Sequence, residues 1–244
     1  MSRAKKRRDN GIGEVVYEPI FETIKPLNEE QAELIKLIHK NYITVCTGKA
    51  GSGKTCVACG VAVQYLLNQK IKKIILTRPM VAAEDIGYRP GTGVEKIDPL
   101  IQPLFVELGK FCNVKALLKQ NKIVVIPLAD MRGINIEDSI ILADECQNSD
   151  ARLLKLLLTR LSDNSKIIMM GDTRQSDLRF YNCDFSKVIE EILRPISEEE
   201  SGAIGIINLK TSVRHWLVEL IADRFEEIED KSYDKQEKKR EGLV

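Results

Sequence analysis

The chain has 244 residues, a formal net charge of +1 and 43% hydrophobic residues, enough to bury a sizeable core in one domain but short of what two ordinary domains require. That charge excludes a uniformly basic or acidic protein, yet opposed patches can cancel in the sum, so only the distribution of charge bears on a polyanionic partner. No apolar run approaches the roughly 20 residues that cross a bilayer, and the polar, basic start is unlike a secretory leader, so the expectation is a cytoplasmic protein with no membrane partner.

The opening residues concentrate charge: Arg3, Lys5, Lys6, Arg7 and Arg8 precede Asp9-Asn10-Gly11, which reads as an arm that either touches phosphates or is simply solvated. Residues 1–27 form this arm and a lead-in punctuated by Pro19 and Pro26, residues 28–229 the folded domain, and residues 230–244 a tail of mixed charge. Asn28 reads as the N-cap of a helix with an apolar stripe of Leu34, Ile35, Leu37 and Ile38. Gln31 has two readings, closing a capping box with Asn28 or presenting its amide to the edge of a bound base.

The β-branched run Tyr42–Thr47 leads into Gly48-Lys49-Ala50-Gly51-Ser52-Gly53-Lys54-Thr55, a full match to GxxxxGK[ST], and residues 55–67 then carry apolar side chains at helical spacing. Strand, glycine loop and helix in that order suit a triphosphate, because backbone N–H groups must turn inward around it at the positive end of a helix. Lys54 reaches the β and γ phosphates and the Thr55 hydroxyl ligates Mg²⁺ in that reading. Cys56 and Cys59 lie on one face of the helix with no second pair at zinc-finger spacing, which reads as packing. His39 and His215 likewise lack Cys or His partners at metal spacing and read as structural.

Lys73–Thr77 reads as a buried strand ending at Arg78-Pro79, followed by a loop with Gly87, Pro90, Gly91 and Gly93 and a helical pattern over 94–111 interrupted by Pro99 and Pro103. Ile123–Ile126 and Ser139–Ala143 are further strands, the second running into Asp144-Glu145. Two carboxylates at the end of a buried strand are costly unless used. They read either as a helix-capping pair or as the second half of the site, Asp144 on the metal and Glu145 on the attacking water. A helix with Leu153, Leu154, Leu157, Leu158 and Leu161 follows, then strand Lys166–Met170 ending in Gly171-Asp172-Thr173-Arg174-Gln175. Gln175 is placed to report the γ-phosphate, or it and Asp172 only shape a turn. Ile204–Leu209 is the last strand, and a closing helix spans about 216–228. Strands that alternate with helices and are apolar throughout predict an α/β fold, a mainly parallel sheet with helices on both faces.

The strings GKAGSGKT, LTRP (76–79), EKIDP (95–99), PLADMRG (127–133), ILADECQN (141–148), GDTRQSDL (171–178) and VRH (213–215) together resemble the PhoH family in content and order, over about residues 28–229. The sequence departs from the usual family pattern at Cys146, where alanine is typical, and at Asp130, where an aromatic residue is frequent. The resemblance implies a RecA-like P-loop NTPase core related to superfamily-one helicases, with ATP and Mg²⁺ as ligands and RNA or single-stranded DNA as partner. It also implies that Arg214, after the last strand, offsets charge on the transferring phosphoryl group, with Arg78, Arg132 and Arg174 as other candidates. A single core lacks the second core from which related helicases draw such an arginine, so the expectation is delivery by another copy in a ring-shaped homo-oligomer. The rival expectation is an ATP-binding regulatory or assembly switch that does not act on strands. A metabolite kinase fits DECQ and GDTRQ less well, and no NKxD-like guanine reader is present.

Overall fold

The computed structural model describes residues 23–79, 101–134, 136–173, 185–218, 220–221 and 224–225. The basic arm Arg3–Arg8, the loop at 80–100, Arg174, Gln175 and the charged tail lie outside the described residues.

The chain forms helix α1 (Glu29–Lys40), strand β1 (Ile43–Gly48), helix α2 (Lys54–Leu67) and strand β2 (Lys73–Thr77), then α3 (Gln102–Leu108), α4 (Val114–Lys119) and β3 (Ile123–Val125). After β4 (Ser139–Ala143), α5 (Ala151–Leu158) and β5 (Lys166–Gly171) come α6 (Phe185–Val188), a wider turn at Ile189–Leu193, α7 (Arg194–Glu199) and β6 (Ile204–Leu209). The strands make one six-stranded sheet in the order β3-β2-β4-β5-β1-β6, and every pairing is parallel. β5 therefore separates the strand that feeds the glycine loop from the strand that ends in Asp144, which is the RecA-like arrangement.

Alternate residues of the central strands enter two cores. Ile140, Leu142, Ile168 and Met170 face the layer of α1, α2 and α3, whereas Ile141, Ala143, Ile167 and Met169 face Leu154, Leu157, Phe185 and Leu193 on the other side. This is why the strands read as unbroken apolar runs, since a parallel sheet covered on both faces has no polar side to mark by alternation. Each fully buried Leu or Ile contributes about 1.5–3 kcal/mol through removal from water.

Local signals set the helix starts. The Asn28 side chain accepts from the Gln31 N–H at 2.9 Å, and Asp150 does the same for α5 from the Leu153 N–H at 2.8 Å, each satisfying an orphan donor of the first turn. The structure adds α4 and the segment 185–199, which the sequence reading did not assign. It shortens the strand at 123–126 by releasing Ile126.

Candidate active site

Parallel packing gathers the loops after β1, β4, β5 and β6 at one edge of the sheet, around a cleft of ≈ 620 Å³ lined by Gln31, Gly51, Lys54, Thr55, Asp144, Glu145, Asp172 and Arg214 among others. Ligand sites form at this carboxyl edge in open α/β sheets. Of the expected site residues within the described region, Gly48, Lys49 and Ser52 do not line this cleft but complete the loop that forms its floor, and the alternative arginines Arg78 and Arg132 do not line it.

The loop leaves β1 at Gly48 and enters α2 through Gly53, whose φ of 87° is left-handed. Gly51 has φ +83°, a conformation that favours glycine, and an added Cβ would stand 2.4 Å from the Cδ and Nε of Arg214, so the exposed arginine side chain would have to shift. The first turn of α2 carries no acidic residue, which leaves its amides and the positive helix end to an anion. Lys54 Nζ donates to the carbonyl oxygens of Gly48 at 2.5 Å and Lys49 at 2.9 Å, holding the ammonium over the loop.

Gln31 partly satisfies the capping reading. Its Oε1 accepts from the Leu27 N–H at 2.9 Å, one residue before the N-cap, rather than from Asn28 itself. Its Nε2 donates across to the Ser52 carbonyl at 3.0 Å, so this buried amide ties α1 to the phosphate loop. One N–H and one lone pair of the amide lie outside these bonds. Ser52 Oγ is buried with no hydrogen-bond partner among the described residues.

Asp144 is buried at the end of β4, and desolvation, then the neighbouring Glu145 charge, push its carboxyl up to about 6. A carboxylate in that setting is matched by a divalent cation, and with the Thr55 hydroxyl on the same cleft the hard oxygen donors suit Mg²⁺. Glu145 does not cap: it has φ 55° and ψ 37°, and its side chain makes no capping bond to a backbone N–H of the short helical turn Cys146–Asn148. The helix-capping reading of the acidic pair therefore fails for Glu145. A left-handed conformation at a non-glycine residue costs about 1–3 kcal/mol and persists where surrounding contacts enforce it. Here those contacts are Gln147 Nε2, which donates to Glu145 Oε2 at 2.5 Å, and the Arg78 guanidinium, 4.0 Å from Oε1.

Gln147 also accepts from the Asp172 N–H at 3.0 Å, so one buried amide links the ends of β4 and β5. The sequence reading gave Gln147 no role. Its place inside ILADECQN was the available signal.

Of the arginines, Arg78 meets Glu145, Arg132 is exposed and lines no part of the cleft, and Arg214 lies against the loop. The Val213 N–H donates to the Gly51 carbonyl at 3.0 Å, which fixes this segment to the loop of its own chain.

Asp130 is exposed on the turn Leu128–Met131, while its neighbours Leu128 and Met131 are buried, so the unusual charge faces outward. Cys146 is fully buried and its Sγ approaches the Ala143 carbonyl at 3.4 Å, a small side chain in a small space. Burial, with Glu107 beside it, raises the Cys56 thiol to about 11, and burial holds Cys59 well above its ordinary value. Neither is a ready thiolate.

The family model described as PhoH-like protein matches residues 23–226. Among curated relatives, a PhoH-like protein of Synechocystis sp. is 39% identical over 233 residues, covering 94% of this chain and 66% of that protein. A PhoH-like protein of Bacillus subtilis is 37% identical over 84% of this chain and 62% of its own length. Protein PhoH of Escherichia coli is 33% identical, with 74% of this chain and 51% of that protein covered. The chain thus spans about half to two thirds of these relatives.

Among solved structures, the Sulfolobus solfataricus SWI2/SNF2 ATPase core, in complex with dsDNA, aligns with TM-score 0.44 and 14% identity over 78% of this chain and 46% of that one. The Candida albicans Pif1 helicase aligns with TM-score 0.39 and 18% identity over 78% and 40%. With the phosphate loop, the acidic strand end and a family match that spans the folded region, this chain belongs to the PhoH-like protein family.

Proposed function

We propose that the chain hydrolyses ATP in a Mg²⁺-dependent reaction coupled to RNA or single-stranded DNA. The observation that carries the reading is the convergence of Lys54, Thr55, Asp144, Glu145 and Arg214 from the loops after β1, β4 and β6 onto one cleft at the carboxyl edge of the sheet. In this reading the loop amides from Gly48 to Gly53 and the Lys54 ammonium bind and orient the phosphates. Thr55 and Asp144 would hold Mg²⁺, which would supply positive charge against the negative charge that develops in the reaction. Glu145, aimed by Gln147 and Arg78, accepts the proton of the attacking water. The Arg214 guanidinium, carried on the loop by its packing against Gly51, offsets charge on the phosphoryl group. Gln31 supplies the remaining N–H and lone pair of its amide to the base, and Gln175 senses the γ-phosphate.

A nucleic-acid partner rests on the PhoH resemblance and on the charge density of Arg3–Arg8. The deciding experiment is ATP turnover with and without single-stranded RNA and DNA. Glu145→Gln is expected to bind ATP while turnover falls about 10²–10⁴-fold, the scale of a positioned base, and Lys54→Ala to lose binding. Wild-type turnover in Glu145→Gln overturns the assignment of the base. Turnover indifferent to strands leaves the ATP-driven switch as the function.

A further inference from the structure

β6 is the edge strand of the sheet, and its last ladder partner is Gly48, paired with Leu209. Beyond that pair β1 curls away into the phosphate loop, so the next N–H groups of the edge strand pass out of reach of the ladder. They do not go to a neighbouring strand. The Lys210 N–H at 2.9 Å and the Thr211 N–H at 3.0 Å both donate to one carboxylate oxygen, Oε2 of Glu30, in the first turn of α1. Two residues further on, the Val213 N–H reaches the Gly51 carbonyl and the Arg214 side chain lies against Gly51. The Arg214 N–H itself donates to Ser212 Oγ at 3.2 Å, closing the turn.

We propose that Glu30 is a positioning residue that fixes the 210–214 strap and so holds Arg214 over the phosphate loop. The inference rests on the part given to Arg214 in the proposed reaction. Adjacent residues of α1 then grip both sides of the cleft: Gln31 holds Ser52 of the loop, and Glu30 holds the strap that lies on it. An acidic residue in a first helical turn also has an ordinary explanation, its attraction to the helix dipole. Glu29 shares that explanation, but among the described residues the strap N–H groups of Lys210 and Thr211 go to Glu30 and not to Glu29, which provides an internal control.

The chain's single tryptophan, Trp216, stands two residues after Arg214 and is exposed, so its fluorescence anisotropy reports the strap without any turnover. Glu30→Ala is expected to lower Trp216 anisotropy in the nucleotide-free protein, while Glu30→Gln, which keeps an oxygen acceptor, and Glu29→Gln stay at the wild-type value. Turnover of Glu30→Ala is expected to fall about 10- to 100-fold, as when a catalytic group is displaced by an ångström. Loss of an interaction used only in the transition state leaves ATP affinity within about threefold. Combined with Arg214→Ala, Glu30→Ala should lower turnover no further, because the two act as a unit.

Unchanged anisotropy in Glu30→Ala overturns the anchor, as does an equal loss in Glu29→Gln. Additive losses in the double variant overturn the link to Arg214. If anisotropy falls in Glu30→Ala while neither it nor Arg214→Ala slows turnover, the anchor stands and the role of Arg214 in hydrolysis is what fails.

Discussion

Replacing Gln147 separates the two jobs of its amide. Gln147→Met keeps length and volume but removes both the donor to Glu145 and the acceptor for the Asp172 N–H. Taking an acceptor from a buried N–H costs about 1–3 kcal/mol, and a bond to a charged group about 1.5–3 kcal/mol. The Glu145 side chain is 37% exposed, so water recovers part of the second contribution and its low end applies. The sum is about 2.5–4.5 kcal/mol, which for a domain of this size lowers the melting temperature by roughly 5–18 °C.

Turnover at a temperature where the variant remains folded should fall about 10- to 100-fold, because Glu145 loses the contact that aims it. Gln147→Glu retains an acceptor for Asp172 but faces Glu145 with a second carboxylate, so it should melt higher than Gln147→Met and turn over ATP no faster. Melting followed by circular dichroism and phosphate release measured on the same samples test this. A Gln147→Met protein that melts with the wild type and turns over ATP at the wild-type rate refutes the linkage.

Arg214→Ala should reduce turnover about 10³–10⁵-fold with ATP affinity held, the scale of an arginine finger. Because Arg214 packs on Gly51 of its own chain, mixing this variant with Lys54→Ala protein should restore nothing, and recovered activity in the mixture would show delivery between copies. Gly48→Ala would place a Cβ 2.2 Å from the Leu209 carbonyl oxygen at φ +144°, and overpacking plus backbone strain should destabilise by about 2–5 kcal/mol in denaturant melts. An unchanged midpoint would contradict the β1–β6 register. Deleting residues 2–8 should flatten the slope of log affinity for a single strand against log salt by up to about three, at about 0.7 per engaged charge, with strand-free turnover unchanged. Equal slopes would make the segment a solvated tail.

The strands were legible because parallel strands buried on both faces appear as short, unbroken runs of Ile, Val, Leu and Met, as in Ile140–Leu142 and Ile167–Met170. The phosphate loop was legible because its chemistry constrains residue type at every second or third position, and Asp144-Glu145 because charge at the end of such a run needs a use. Helices of four to six residues were harder. α4 has no buried residue, and the 185–199 segment is broken by a wide turn and by Pro195 near the start of α7, so neither presents a stripe long enough to read.

What the sequence determined by itself was each local element and the chemistry of single motifs, since propensity, capping and periodicity act within a few residues along the chain. Only the tertiary structure decided which strand ends are neighbours. It set β5 between β1 and β4, joined Gln147 to Asp172 across 25 residues and Glu30 to Lys210 across 180. It also laid the Arg214 side chain beside Gly51 of the phosphate loop. Those pairings depend on sheet order and on where an edge strand loses its ladder partner, and both arise from the packing of the whole domain rather than from any one segment.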